Sequence, residues 1–151
     1  MENFILNSKF FDQSVIKLPK EQIDPTLLSG SNQKNILIVC IKQREEEKTD
    51  IDFLEKIFAS VKVNLTSDAT LLLLEKEQHF SWKAINEATD FKQLIYFGDS
   101  LKNLGLQISG TVYTPFEYQD KTILFAEFLD LIAADRGKKG ALWKGLKEVF
   151  E

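Results

Sequence analysis

ILIVCI, residues 36–41, is an unbroken run of six apolar residues, four of them β-branched. A strand with one wet face alternates polar and apolar residues. A strand covered on both faces does not, and a continuous run rich in Ile and Val is its signature. Two further runs share this character: ATLLLL at 69–74 and KQLIYF at 92–97, the latter closed by Gly98. Between them lie amphipathic stretches. Ile51, Leu54, Phe58 and Val61, with Ile57 beside them, form one apolar helical stripe. Thr49 followed by Asp52 resembles a capping box, which starts that helix at Thr49. Trp82, Ile85 and Ala88 recur at three-residue spacing and predict a short helix through SWKAINEA. Strand, helix and strand in alternation predict an α/β fold, with three layers and helices on both faces of a central, mainly parallel sheet. Asn35–Ile41, Ala69–Leu74 and Lys92–Phe97 are expected to be its neighbouring central strands.

The flanks are less regular. A brief helix is expected over Ser100–Leu104, stopped by Gly105. A hairpin is expected from Val112–Tyr118 and Thr122–Leu124 around Gln119-Asp120-Lys121. Phe125, Phe128, Leu129 and Ile132 repeat at helical spacing, and Arg136-Gly137 reads as the break that ends that helix. A last helix spans Lys139–Phe150, with Leu142, Leu146, Val149 and Phe150 on one face and Trp143 expected in the core. Pro19, Pro25 and the cluster SGSNQKN (Ser29–Asn35) mark the first 34 residues as different in kind. The chain divides into an N-terminal arm and linker, residues 1–34, and a single α/β domain, residues 35–151.

Composition bounds the function. The chain has 151 residues, enough to bury about 70% of its unfolded surface without a metal or disulfide. No apolar run approaches the roughly 20 residues of a membrane span, and the acidic start MENFILNSKFF is no secretory signal. These features predict a cytoplasmic protein. The formal charge is −4, and only Arg44 and Arg136 are arginines. That disfavours sequence-specific reading of duplex DNA, which leans on Arg and on net positive charge. Lone Cys40 can make neither a disulfide nor a cysteine-rich metal site and reads as a buried strand thiol. Nothing near lone His79 in the sequence marks a nucleophile, and it reads as a surface or loop residue.

Motifs for phosphate and nucleophile chemistry are missing. Neither GxxxxGK[ST] nor GxGxxG nor GxSxG occurs, nor HExxH nor CxxC. Ile41-Lys42, Glu75-Lys76 and Gly98-Asp99 are the predicted strand ends, where open α/β sheets bind ligands, and Glu75, Asp99 and Glu127 are the acids expected to converge there. They are the one candidate carboxylate site, set against a background of 23 acidic residues. No cofactor and no metal are expected. Arg136, Lys138, Lys139, Lys144 and Lys147 lie within twelve residues that hold no acid. They are candidate phosphate contacts, or else a solvated helix end whose lysines suit its dipole.

The stretches DFLEKIFASVKVNLTSDATLLLLE (52–75), KQLIYFGDSLKNLGL (92–106) and KTILFAEFLDLIAADRGKKGALWKGLKEVF (121–150) resemble the uracil-DNA glycosylase superfamily in their order of pieces. Gly98 and the segment Lys138–Lys147 match its scaffold. The resemblance spans about residues 35–150, and it implies a uracil-DNA glycosylase-like fold. The chain departs where the enzymes do chemistry. KQREEEKTD stands where they carry a Gly- and Pro-containing catalytic loop, and Phe125-Ala126-Glu127 where they carry His-Pro. A catalytically silent relative, the psi subunit family of bacterial DNA polymerase III, is similar at Leu124-Phe125-Ala126, Leu129 and Ala141-Leu142-Trp143. That resemblance implies a non-enzymatic adaptor in DNA replication. Its arm would hold a tau/gamma-like clamp-loader subunit and its body a chi-like subunit, with weak or indirect DNA contact. Phe4, Ile5, Leu6, Phe10 and Phe11 then anchor the partner. By their own physics these residues bury either against a partner or against the body. The rival expectation is a divergent enzyme of the glycosylase superfamily that uses replaced residues.

Overall fold

A computed structural model describes residues 23–42, 47–75, 78–98, 104–105 and 111–150. Among these residues six strands form one mixed sheet: β1 (Leu28–Ser29), β2 (Ile36–Ile41), β3 (Ala69–Leu74), β4 (Gln93–Phe97), β5 (Phe116–Tyr118) and β6 (Lys121–Ala126). Their order is β1-β3-β2-β4-β6-β5. The four inner strands run parallel, and the short edge strands β1 and β5 are antiparallel to their neighbours. Among the described residues four α-helices accompany them: α1 (Glu47–Ala59), α2 (Trp82–Ala88), α3 (Leu129–Ala133) and α4 (Arg136–Phe150).

The unbroken apolar runs are explained by what covers them. Ile36, Ile38 and Cys40 of β2 face α1, α3 and α4, whereas Leu37, Val39 and Ile41 face α2. Every side chain of β2 is buried. This is a three-layer arrangement, with three helices on one face and α2 with the segment around Ile23 on the other. Leu54 and Phe58 bring the α1 stripe into the first layer, each contributing about 2–3 kcal/mol by burial. Phe58 meets Phe97 and Phe150 edge-on, with ring centroids 6.4 and 6.3 Å apart. Ser81 starts α2 by accepting a hydrogen bond from the Ala84 N–H at 3.0 Å.

Several expectations are corrected. Helix α1 begins at Glu47, so Thr49 lies inside it and is no cap. Strand β6 continues through Phe125 to Ala126, and the helix after it starts only at Leu129. The apolar spacing of 125, 128, 129 and 132 fits a helix, but pairing with β4 takes Phe125 into the sheet, opposite Tyr96. The hairpin turn has two residues, Gln119 and Asp120, both left-handed (φ 51° and 65°), and Lys121 belongs to the strand. Such two-residue turns match the twist of the strands they join. Arg136-Gly137 does not end a helix but begins α4. Asp135 Oδ1 accepts from the N–H groups of Gly137 (2.8 Å) and Lys138 (3.2 Å), a side-chain N-cap. Trp143 is 45% exposed and not in the core.

The Ser/Gly/Asn cluster before β2 is hydrogen-bonded to the body. The N–H groups of Ser31, Asn32, Gln33 and Lys34 donate to the carbonyls of Thr66, Ala69, Ser67 and Asp68. Asn32, left-handed at φ 52°, accepts from the Ile36 N–H at 3.0 Å and donates to the Asp90 carbonyl at 2.6 Å. A Cβ on Gly30 would lie 2.2 Å from the Ala69 carbonyl oxygen, so only glycine fits there. Residues 28–34 therefore sit on the sheet as an edge strand and a clasp. The brief helix expected over Ser100–Leu104 lies outside the described residues, save for Leu104.

Candidate functional site

The chain leaves β2 for β3 on one side and later adds β4 on the other. The carboxyl ends of β2 and β4 therefore flank the point where strand order reverses, the usual ligand crevice of an open α/β sheet. Gly98 closes β4 there. A Cβ on it would stand 2.8 Å from the Tyr96 ring and 2.9 Å from Ile41 Cγ1. Apolar side chains thus crowd the spot where a ligand would approach the backbone. Gly98 is needed because of that packing.

One strand further on, Glu127 follows the end of β6. Tyr113 Oη donates to Glu127 Oε1 at 2.9 Å, and Lys138 Nζ lies 3.1 Å from Oε2. Each carboxylate oxygen therefore has a partner, one from the segment before β5 and one from the first turn of α4. Burial first, and the neighbouring Glu127 carboxylate second, push the Tyr113 hydroxyl above the ordinary tyrosine range. It remains a protonated donor at neutral pH. Tyr113 itself is left-handed (φ 67°), and its N–H donates to the Phe125 carbonyl at 2.8 Å. The group acts as a strut that ties α4 and the 113 segment to the end of β6.

Of the three candidate carboxylates, the two described, Glu75 and Glu127, do not converge. Glu75 follows β3 and Glu127 follows β6, three strand spacings apart, or about 14 Å. Asp99 lies outside the described residues. Among the described residues no group of three or more His, Cys, Asp or Glu is placed to hold a metal ion. Cys40 is buried in β2 and His79 is exposed. Two hollows open at the amino ends of the strands. One of about 510 Å³ is bounded by Lys34, Ile36, Lys62, Gln93 and Phe150; one of about 450 Å³ by Asn86, Asp90, Lys92, Asp120 and Lys121. Both mix cations with amides or acids in open surface.

The basic cluster falls on α4 and splits. Lys138 turns to Glu127. Arg136, Lys139 and Lys144 are exposed, and the Lys147 ammonium stands 4.5 Å from the centre of the Trp143 ring. The sequence signal for this face is its cations; the tryptophan among them, expected in the core, is exposed. Phe4, Ile5, Leu6, Phe10 and Phe11 lie outside the described residues. No helix among the described residues is long and apolar enough to cross a membrane. No protein-family model matches the chain, and no curated protein matches it.

Proposed function

We propose that this chain is a non-catalytic protein–protein adaptor of the psi type, an accessory subunit of the bacterial replicative clamp loader, acting in the cytoplasm without a cofactor. The observation that carries the proposal is the packing of Tyr96 and Ile41 against Gly98 at the reversal point of the sheet. A base-processing enzyme needs a shaped polar pocket in such a place. Here the described residues put a ring and an aliphatic chain there, and Glu127, the acid after the neighbouring strand β6, is engaged by Tyr113 and Lys138. The order of pieces supports the kinship. A parallel strand ends in Gly98, and the helix holding Lys138–Lys147 follows the last strand. A tau/gamma-like clamp-loader subunit binds Phe4, Ile5, Leu6, Phe10 and Phe11, and a chi-like subunit binds the body.

The test is deletion of residues 1–12. The shortened chain keeps the thermal midpoint of the full chain and loses capture of the clamp-loader subunits in a pulldown. A midpoint lower by several degrees with capture intact places the arm in the core and refutes the docking mechanism. Uracil-containing DNA incubated with the full chain releases no base above a blank. Turnover that disappears in Glu127→Gln transfers the case to the divergent glycosylase.

A further inference from the structure

Helix α4 turns two different faces outward and inward. Leu142, Gly145 and Leu146 are buried against the sheet. At 100° per residue, Arg136, Lys139, Trp143, Lys144 and Lys147 fall on the other side, within an arc of about 140°. They cover 11 rises of the helix, about 16 Å. No acid occurs from Arg136 to Lys147, in a chain whose formal charge is −4. Trp143 sits amid these cations and is 45% exposed, which is unusual exposure for so large a ring. Gly140, one turn before it, faces open space: a Cβ there would meet nothing within 4 Å. The face is therefore a positive strip with a flat aromatic surface and a bare floor beside it.

We propose that this face binds single-stranded nucleic acid, with Trp143 as a base-stacking platform and Arg136, Lys139, Lys144 and Lys147 as phosphate contacts. Charge complementarity selects a polyanion, and the tryptophan selects which one. A peptide of acidic residues alone would neutralise the cations and leave the indole in water. A nucleic-acid strand offers phosphates to the cations and a π-face to the ring. Duplex DNA hides its bases in the stack, so an unpaired strand is the better fit. The Lys147 ammonium over the Trp143 ring holds the platform in the free protein. An exposed cation–π contact is weaker than base stacking, so a base displaces the ammonium, which then meets a phosphate. Lys138 takes no part, because Glu127 holds it. The inference uses no residue of the 1–12 arm and stands or falls separately from the adaptor reading.

The full chain is titrated into a labelled short oligothymidylate and followed by anisotropy, with quenching of tryptophan emission as a second readout. Four phosphate contacts give a salt exponent of about −2.8 for a single strand, so affinity falls about 50-fold from roughly 50 to 200 mM salt. Removing two contacts in Lys139→Ala/Lys144→Ala flattens that fall to about sevenfold. Trp143→Ala weakens binding by roughly 5- to 150-fold, and Trp143→Phe restores most of it. These sites are exposed, and circular dichroism melts check that each variant folds. The proposal is overturned if no saturable binding occurs at low salt. It is equally overturned if Trp143→Ala binds like the parent chain, or if polyglutamate, phosphatidylglycerol vesicles or a duplex of equal length bind as tightly as the single strand.

Discussion

Two glycines five residues apart on α4 should respond in opposite directions to the same added methyl group. At Gly140 the new Cβ meets nothing within 4 Å. Gly140→Ala there removes only the backbone entropy penalty of glycine in a helix, a gain of about 0.5–1 kcal/mol. At Gly145 the new Cβ stands 2.7 Å from the Tyr113 carbonyl oxygen and 3.1 and 3.4 Å from the Leu124 methyls. Leu124 can turn a little, but the carbonyl is backbone and cannot swing away. Tyr113 is pinned by its N–H to the Phe125 carbonyl at 2.8 Å and by its hydroxyl to Glu127 at 2.9 Å. Overpacking of this kind costs about 1–3 kcal/mol. Set against the same propensity gain, Gly145→Ala is destabilised by up to about 2.5 kcal/mol. The shared gain cancels, so the two variants differ by the overpacking cost alone, about 1–3 kcal/mol, or roughly 2–12 °C in midpoint for a chain of this size. Urea and thermal unfolding followed by far-ultraviolet circular dichroism measure both, and an unchanged urea slope confirms that the effect is on stability. If Gly145→Ala melts as high as Gly140→Ala, α4 does not seat against the 113 segment as described, and the strut at Glu127 loses its geometry.

Asn32→Ala removes an acceptor for the Ile36 N–H and a donor to the Asp90 carbonyl, and leaves alanine at φ 52°. It is expected to cost about 2–3 kcal/mol in urea unfolding; Asn32→Gly, which relieves only the backbone, should cost less. Asp68 accepts from the Asn64 N–H at 2.8 Å and faces Lys34 Nζ at 3.4 Å. The backbone bond first, and the lysine with it, hold its carboxyl below the ordinary aspartate value. A depressed carboxyl stabilises the fold above its unfolded value near 3.9 and loses that contribution as pH falls through the folded value. The urea midpoint should therefore drop below about pH 4 more steeply in the parent chain than in Asp68→Asn, and equal slopes would refute the assignment.

How much of this was legible depends on where each group finds its partners. β2, β3 and β4 were legible to within a residue because burial on both faces demands a run without polar interruption, and Ile36–Ile41 states that demand in six letters. Helix α2 was legible because its buried residues and its capping Ser81 are neighbours in sequence. The Ser29–Asn35 cluster has the letters of a loop, and turn geometry at Asn32 and Asn35 is indeed what it supplies. Its hydrogen-bond acceptors, though, are carbonyls of Thr66–Ala69, some 35 residues away. No local pattern announces them. The same holds for Glu127, whose partners Tyr113 and Lys138 arrive from a segment before the hairpin and from a helix after the sheet. Trp143 misled for a different reason. Its i, i+3 relation to buried Leu146 suggests a core face, yet the inward arc of α4 is set by Leu142, Gly145 and Leu146. At Gly145 the helix comes so close to Tyr113 that a Cβ would stand 2.7 Å from its carbonyl oxygen. Trp143, about 100° round the helix from Leu142, falls outside that arc and stands exposed among the lysines.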